Sequence, residues 1–251
     1  MRLLDRAEIL PVLAGVHDTL ALRRPGGLTR PPGWWSNGMA RLGRTPLLAA
    51  VHTGAQGDDG FVVAVPVGDD DLTRTLRVTD LHAADTAASA GLWRFLLGVD
   101  LVTHVEAPAR PLDETVELLL VDAHDRHVTG IEDETWLRLV DVPAALAARA
   151  FPAVGRGAPA PVLLAVHDTL LPDNTGIYRI GDGTAERVGP LGSVVPELEC
   201  DVGALAMAYL GDRAPSMLAA AGWWTVRDPA AVPRADVLFA TDVVPWCGTD
   251  F

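Results

Sequence analysis

Patterns typical of helices and of strands are mixed in both halves of the chain, and this mixture limits the folds that the chain can adopt. Apolar residues at 9, 13, 16 and 20 share one helical face, and residues 47–52 and 61–67 read as strands around the turn-rich stretch 54–60. Strand patterns recur at 162–167 and 176–180, and a helical pattern follows at 200–210. This order predicts two α/β or α+β domains.

A polar connector at 122–127 suggests the boundary between the two domains. With 251 residues, the chain has room for two ordinary domains, which we place at 1–127 and 128–251. The stretch 112–121 predicts a helix, and 127–131 and 135–142 predict strands.

Composition excludes several classes of protein. The net charge of −13, with every basic residue an arginine, predicts solubility, an affinity for cationic small molecules and no nucleic-acid binding. No apolar run is long enough for a membrane span, and the N-terminus lacks a signal-peptide pattern. Cys200 and Cys247 are too few for a disulfide framework, so a reducing cytoplasm is the expected compartment, and their spacing predicts no metal site.

One ten-residue sequence occurs almost twice. Residues 11–20 read PVLAGVHDTL and residues 161–170 read PVLLAVHDTL, so eight of ten positions agree. The flanks differ, and the first copy lies in a helical pattern whereas the second lies in a strand-like run. We therefore treat the likeness as chance or local gene conversion, with a duplicated domain as the alternative. The His-Asp pairs are expected to lie on a solvated turn or helix face.

The chain ends in an unusual tail, PWCGTDF at residues 245–251. Protein termini are commonly polar and frayed, whereas this one carries Trp, Cys and Phe and is expected to dock. A docked end fixes the α-carboxylate at one point in the fold, where it is either structurally incidental or a catalytic base.

Three stretches resemble the enhanced intracellular survival (Eis) family of acetyltransferases. They are GLWRFLLGVDLVTHVEAPARPLDETVELLLVD at 91–122, TGIEDETWLRLVDVPAALAARAF at 129–151, and the run from VLLAVHDTLLPDNTGIYRI through DVGALAMAYLG to PWCGTDF. TRPPGWW at 29–35 resembles the start of the family's central domain. The motifs occur in the family's order over nearly the whole chain.

The resemblance implies a fold and a cofactor. Family members join a GNAT domain that binds acetyl-CoA, a central degenerate GNAT-like domain and a sterol-carrier-protein-like domain. This chain is expected to hold the last two and to depend on an upstream GNAT domain, with its general-acid tyrosine, for acetyl-CoA. Arg23–Leu28 is the nearest candidate for the acetyl-CoA pyrophosphate loop, but it has Leu at the last position of the motif and we do not accept it. The chain is thus expected to be a fragment, a split gene product or one with a mis-assigned start.

The resemblance also implies site residues. The carboxylate of Phe251 is expected to act as general base, and Asp250 and Trp136 to line the substrate pocket, with core packing as the alternative for Trp136. Glu132 and Asp133 are weaker candidates. The implied reaction is acetyl transfer to amines of aminoglycosides, polyamines or protein lysines in a hexamer. The alternative is a non-enzymatic module that binds an apolar ligand or a separately encoded acetyltransferase domain.

Overall fold

The chain folds into two compact units. A computed structural model describes residues 1–68, 74–153, 155 and 157–249. The first unit combines residues 1–134 with the tail that begins at Pro245, and the second unit spans Thr135–Val244. These units are defined by contacts within the structure, and contacts do not show which parts fold separately. The domain limits of 1–127 and 128–251 therefore remain a prediction.

The first unit is a five-stranded sheet with helices on both faces. The strands lie in the order β1-β2-β3-β4-β5; β4 and β5 are parallel, and the other neighbours are antiparallel. Its elements are β1 (Arg2–Leu3), α1 (Arg6–Leu20), α2 (Pro32–Leu42), β2 (Leu48–Gly54), β3 (Gly57–Val67), β4 (Thr75–Ala83), α3 (Thr86–Leu97) and β5 (His104–Glu106).

Alternation along β3 divides the core of the first unit into two layers. Phe61 and Val63 pack with the buried face of α1 and with Trp35 of α2. Their neighbours Val62 and Ala64 pack in the other cluster, which includes the buried residues of α3. Because side chains point to opposite faces along a strand, one strand serves both layers.

Aspartate side chains cap two helices of the first unit. Asp5 and Glu8 form a capping box at α1, with the Asp5 amide donating to the Glu8 carboxylate at 3.0 Å. Pro11 lies inside α1 without ending it. Asp85 caps α3 by accepting from the Ala88 amide at 2.9 Å.

The second unit has its own five-stranded sheet, in the order β10-β9-β6-β7-β8. In this sheet β6 and β9 are parallel, and the other neighbours are antiparallel. One cluster of buried residues from its strands and helices forms the core. Its elements are α4 (Val142–Ala148), β6 (Val162–His167), β7 (Gly176–Gly181), β8 (Thr184–Gly189), β9 (Leu198–Asp201), α5 (Val202–Tyr209), α6 (Pro215–Ala220), β10 (Trp224–Val226) and α7 (Ala231–Phe239).

The turn after β6 is closed by a buried carboxylate. Asp168 accepts hydrogen bonds from the Leu170 and Leu171 amides at 3.0 Å, from Asn174 at 2.9 Å and from Arg138 at 2.8 Å. Burial raises the pKa of Asp168, but these hydrogen bonds, that of Asn174 foremost, outweigh burial and hold the pKa well below its ordinary value. The carboxylate is therefore ionised and structural.

Several expectations about local structure are wrong. The stretch 112–121 holds only a short 3-10 helix at Val116–Leu119, and 127–131 and 135–142 form no strands before α4 begins. Some apolar side chains there, such as Ile131, are exposed, and others, such as Leu139, pack in the core of the second unit, in both cases without strand pairing. The sequence also predicts a strand at 72–80. The structure describes β4 there from Thr75, and residues 69–73 lie outside the described part of the chain.

The expectation of a solvated surface is wrong for one member of each His-Asp pair. His17 is 1% exposed and Asp168 is 5% exposed, because each faces the core of its unit. Across the described residues, no helix is both long and apolar enough to span a membrane.

Candidate active site at the C-terminal tail

The tail folds back onto the first unit as far as it is described, and Trp246 is its first anchor. The backbone amide of Trp246 donates to the Pro25 carbonyl at 3.0 Å, and its indole Nε1 donates to the Ala109 carbonyl at 2.8 Å. The indole also lies 4.8 Å from the His82 ring, centroid to centroid. At Gly26, where φ is +84°, an added Cβ would lie 3.4 Å from the Trp246 amide, so glycine suits this close approach.

Glu134 is the second anchor. Its carboxylate accepts from two successive tail amides, Cys247 at 2.8 Å and Gly248 at 2.7 Å. Gly248 has φ of +61°, and a Cβ there would lie 2.5 Å from the Trp246 ring. Both the conformation and the close contact therefore require glycine. Cys247 is buried beside them.

Arg30 is the third anchor, and its side chain is almost wholly buried. The guanidinium forms a two-pronged pair with Asp80, with Nη1–Oδ2 at 2.5 Å and Nη2–Oδ1 at 3.2 Å. Arg30 Nε donates to Thr249 Oγ1 at 3.0 Å, and Nη2 donates to the Gly248 carbonyl. The guanidinium thus links β4 to the last described residue of the tail.

Two histidines line the same buried cluster. His82 Nε2 lies 3.2 Å from the Asp80 carboxylate, and the His17 ring lies 4.9 Å from the His82 ring. No described residue hydrogen bonds to either nitrogen of His17. Burial, followed by the charges of Arg30 and His82, lowers the pKa of His17 to about 3. His17 is therefore neutral at physiological pH.

Asp80 carries the balancing negative charge of the cluster. Burial raises its pKa, but the hydrogen bond and charge of His82, followed by those of Arg30, outweigh burial and leave the pKa below its ordinary value. An ionised Asp80 beside an ionised Arg30 meets the general requirement that buried charges be paired.

A small polar cleft opens beside this cluster. Its volume is about 40 Å³, and its lining includes Thr79, Asp80, Arg110, Trp246 and Gly248. The space admits a water molecule or one small group. Arg110 is held at the rim by Glu114, with Nη2–Oε2 at 2.8 Å, and its guanidinium lies 4.9 Å from the Trp246 ring.

The site residues predicted from sequence are only partly placed. Phe251 and Asp250 lie outside the described residues. Trp136 is 89% exposed in a segment of the second unit without regular structure, so its side chain does not pack into that unit's core. Glu132 and Asp133 are exposed, and it is the next residue, Glu134, that binds the tail.

The residues that hold the tail were not predicted from the sequence: they are Arg30, Asp80, His82 and Glu134. Arg30 lies in TRPPGWW, which was noted for its resemblance alone. Its partners are distant in sequence, so no local spacing reveals the cluster. The sequence indicated Glu134 only weakly, as a member of the acidic run 132–134.

At two positions of the first unit, backbone that could face the pyrophosphate of acetyl-CoA is occupied by contacts within the chain. An anion site at a helix N-terminus needs free amides, yet at α3 the carboxylate of Asp85 already accepts the Ala88 amide. In the loop 23–28, Gly27 packs so tightly that a Cβ would lie 1.8 Å from the Ala21 carbonyl oxygen. Across the described part of the chain, no three His, Cys, Asp or Glu residues cluster as metal ligands would.

Comparison with known proteins identifies both parts of the chain. Residues 26–139 match a family model described as an acetyltransferase (GNAT) domain, and residues 142–248 match one described as a sterol carrier protein domain. The crystal structure of Eis1 from Mycobacterium abscessus superposes with a TM-score of 0.86 at 35% identity, covering 100% of this chain and 62% of that one.

Sequence relatives agree with the structural match. An uncharacterized N-acetyltransferase of Streptomyces coelicolor is 34% identical over 96% of this chain and 59% of its own length. N-acetyltransferase Eis of Mycobacterium tuberculosis is 31% identical over 97% of this chain and 58% of its own length. The chain thus spans about three fifths of the relatives that it matches. By sequence and by fold, it belongs to the Eis-like GNAT N-acetyltransferases, with a GNAT domain followed by a sterol carrier protein domain.

Proposed function

We propose that this chain supplies the catalytic base and part of the amine pocket of an Eis-like N-acetyltransferase. The observation that carries the proposal is the tail, which is bound through Trp246, Glu134 and Arg30 up to Thr249. A terminus held in this way delivers its carboxylate to a restricted region. The Phe251 carboxylate is the proposed general base.

The proposed reaction is acetyl transfer from acetyl-CoA to an amine. The amine nitrogen attacks the thioester carbonyl, a C–N bond forms and the C–S bond breaks. The Phe251 carboxylate accepts the proton that the amine loses, and the CoA sulfur leaves as a thiol after protonation by a general acid. An α-carboxylate has a pKa of about 3.3–3.7 in water, so it is ionised at neutral pH and attracts an ammonium group.

The proposed substrates are cationic amines, in the classes of aminoglycosides, polyamines or protein lysines. The net charge of −13 supports this choice, although the charge also serves solubility. Asp250 and Trp136 are the proposed substrate-binding residues, and the exposed indole of Trp136 is accessible to a ligand.

We also propose that acetyl-CoA is held by a GNAT domain outside these 251 residues, in a cytoplasmic homo-oligomer that the family suggests is a hexamer. The carboxylate cap at α3 and the packed loop at 23–28 support this division of labour. Calorimetric titration of the chain with acetyl-CoA is expected to give no saturable binding. Saturable binding would contradict the division.

The terminal base is tested by blocking its carboxylate. A cleavable extension after Phe251 is expected to abolish acetylation once an acetyl-CoA-binding GNAT domain is supplied, because the α-carboxylate becomes a peptide carbonyl. Protease removal of the extension regenerates Phe251 as the terminus and is the matched control, which is expected to restore activity. Unchanged turnover in the extended protein would remove the base from the mechanism.

The alternative function is a non-enzymatic module that binds an apolar ligand or a separate acetyltransferase domain. The sterol carrier protein match at 142–248 is the observation that favours it. Displacement of a fluorescent fatty acid from the chain, together with absence of acetylation by the assembled protein, would favour this alternative.

A further inference from the structure

One buried guanidinium joins the sheet of the first unit to the end of its tail. Arg30 binds Asp80 of β4 through both Nη atoms, and it binds the tail through Nε to Thr249 Oγ1 at 3.0 Å and through Nη2 to the Gly248 carbonyl. Trp246 and Glu134 hold the tail further upstream, so Arg30 is the anchor nearest to the terminus among the described contacts.

The tail completes the hydrogen bonding of this arginine. A guanidinium carries five N–H donors, and a buried donor without an acceptor is costly. Asp80 neutralises the charge and accepts two bonds, and the tail supplies the acceptor for Nε. Releasing the tail would leave that donor unpaired in a buried site, so Arg30 and the tail stabilise each other.

The guanidinium is itself held in place from several sides. Its centre lies 4.0 Å from the Trp34 ring and 5.0 Å from the Trp35 ring, within the range of cation–π attraction. His82 lies against the carboxylate of Asp80 at 3.2 Å. These contacts restrict the rotamers of Arg30 and therefore the position of the groups that it binds.

Covalent geometry carries this restriction to the terminus. The base of the proposed reaction belongs to Phe251, two positions after Thr249, and an extended chain advances at most about 3.3–3.6 Å per residue. The position of Thr249 therefore limits the positions that this base can reach. A proton acceptor must come within hydrogen-bond reach of the amine, so a loss of this restriction lowers the fraction of productive encounters.

We propose that Arg30, paired with Asp80, is a positioning residue for the tail: by binding Gly248 and Thr249 it fixes the segment from which the proposed base extends. This inference rests on the proposed function, since it assigns Arg30 a purpose in that reaction. Arg30 acts through the tail and does not itself touch the substrate.

The first test releases the tail without disturbing the buried charges. Thr249→Val removes the acceptor of Arg30 Nε while keeping the side-chain shape, and Thr249→Ser keeps an acceptor. The readout is the rate at which a thiol reagent labels Cys247, which is buried in the docked tail. Thr249→Val is expected to raise this rate about tenfold, as for loss of a hydrogen bond to a charged group, whereas Thr249→Ser stays within about twofold of the parent.

Two controls separate release of the tail from unfolding. Mass spectrometry assigns the label to Cys247 or to Cys200, which is buried in the second unit, and Cys200 is expected to stay unlabelled. Hydrogen exchange of β3 reports on the first unit and is expected to stay slow. Thr241→Val, which removes a hydroxyl bonded to the Val243 carbonyl at 2.9 Å, is the matched substitution away from the tail. Equal labelling of Cys247 in the valine variant, the serine variant and the parent would overturn the proposal.

The arginine is then tested directly. Arg30→Lys keeps the charge but cannot bind Asp80 and Thr249 at once, so it is expected to release the tail about as strongly as Thr249→Val. If that variant fails to fold, Arg30→Met combined with Asp80→Leu removes the pair together and avoids an unpaired buried charge. Protection of Cys247 in this double variant equal to that of the parent would overturn the role of Arg30.

Turnover distinguishes failure of this inference from failure of the proposed function. With an acetyl-CoA-binding domain supplied, Thr249→Val is expected to lower kcat about tenfold and to leave the KM for acetyl-CoA unchanged. Thr249→Ser is expected to keep the kcat of the parent protein. Suppose that the C-terminal extension inactivates the protein, and that Thr249→Val releases the tail but leaves kcat unchanged. That result would overturn the positioning role of Arg30 and leave the Phe251 carboxylate as the proposed base. If the extension does not inactivate the protein, the proposed function fails, whatever the labelling of Cys247 shows.

Discussion

Residues 11–20 and 161–170 share eight of ten amino acids, yet the first is a helix and the second is mainly a strand. Residues 11–20 lie wholly within α1, whereas 162–167 form β6. In the helical copy, buried positions follow a three-to-four-residue spacing, and in the strand copy they include every second position. The same letters satisfy both periods, so the neighbouring structure decides between them.

The His-Asp pair shows what this difference does to chemistry. In the helical copy His17 is buried, and Asp18 is exposed. In the strand copy the His167 side chain is 40% exposed and binds Glu199 at 2.7 Å, while Asp168 is buried. A dipeptide that suggests one kind of site thus supplies a neutral buried histidine in one unit and a structural carboxylate in the other.

The largest expected effect is the difference in stability between variants of the two aspartates, Asp168 and Asp18. Asp168→Ala removes the acceptor of the Leu170 and Leu171 amides and of Asn174, so the second unit is expected to lose more stability than with any other substitution in this comparison. The equivalent change, Asp18→Ala, is expected to leave the unfolding midpoint within error because Asp18 is exposed. Urea unfolding of both variants measures the contrast, and equal midpoints would contradict the two assigned environments.

The next largest effect is a pH dependence of stability that is expected from His17, in the helical copy. The pKa of His17 is about 3 in the folded state, against an ordinary value of 6.5. Between these pH values, His17 is therefore protonated in the unfolded state and neutral in the folded state. The stability from His17 is therefore complete above pH 6.5 and is lost as pH falls toward 3, at up to about 1.4 kcal/mol per pH unit.

Substitution isolates this contribution of His17. Relative to His17→Leu, the parent protein is expected to lose roughly 1–2 kcal/mol of unfolding free energy between pH 6.5 and 5. His167→Gln, in the strand copy, is the matched control. Parallel stability–pH curves for the parent protein and His17→Leu would show that His17 takes up protons in the folded state.

The smallest expected effect comes from a substitution that makes residues 11–20 more similar to residues 161–170. Gly15 is exposed inside α1, and a Cβ there meets nothing within 4 Å. Gly15→Ala is therefore expected to stabilise the first unit by about 0.5–1 kcal/mol through helix propensity. The reciprocal Ala165→Gly, in buried β6, is expected to destabilise the second unit. Thermal unfolding measures both, and destabilisation by Gly15→Ala would mean that α1 is not an ordinary helix at this point.

Patterns set by near neighbours were predictable from the sequence. The capping box at Asp5 and the N-cap at Asp85 are patterns of this kind, because each depends on residues at most three positions away. The hairpin was predicted with too long a turn, since β2 and β3 meet at Gly54 and Gly57. The polar start of β3 stays in the strand because its aspartates bind across to β2, with Asp58 Oδ1 2.6 Å from Thr53 Oγ1.

The tail site was not predictable because its partners are distant in sequence. Arg30 is separated from Asp80 by 50 residues, from Gly248 by 218 and from Thr249 by 219. The sequence predicted a docked tail from its apolar residues, and that is confirmed for the described part. It did not predict that an arginine and a glutamate would hold the tail's backbone and hydroxyl groups.

The central claim is that the tail is a fixed part of the first unit, and hydrogen exchange at its own amides tests that claim most directly. The Cys247 and Gly248 amides donate to Glu134 at 2.8 and 2.7 Å, so their exchange is expected to be at least about 100-fold slower than in a free peptide. Glu134→Gln is expected to speed it, and Glu132→Gln, the matched control, is expected to leave it unchanged. Exchange of both amides at the free-peptide rate in the parent protein would contradict a docked tail.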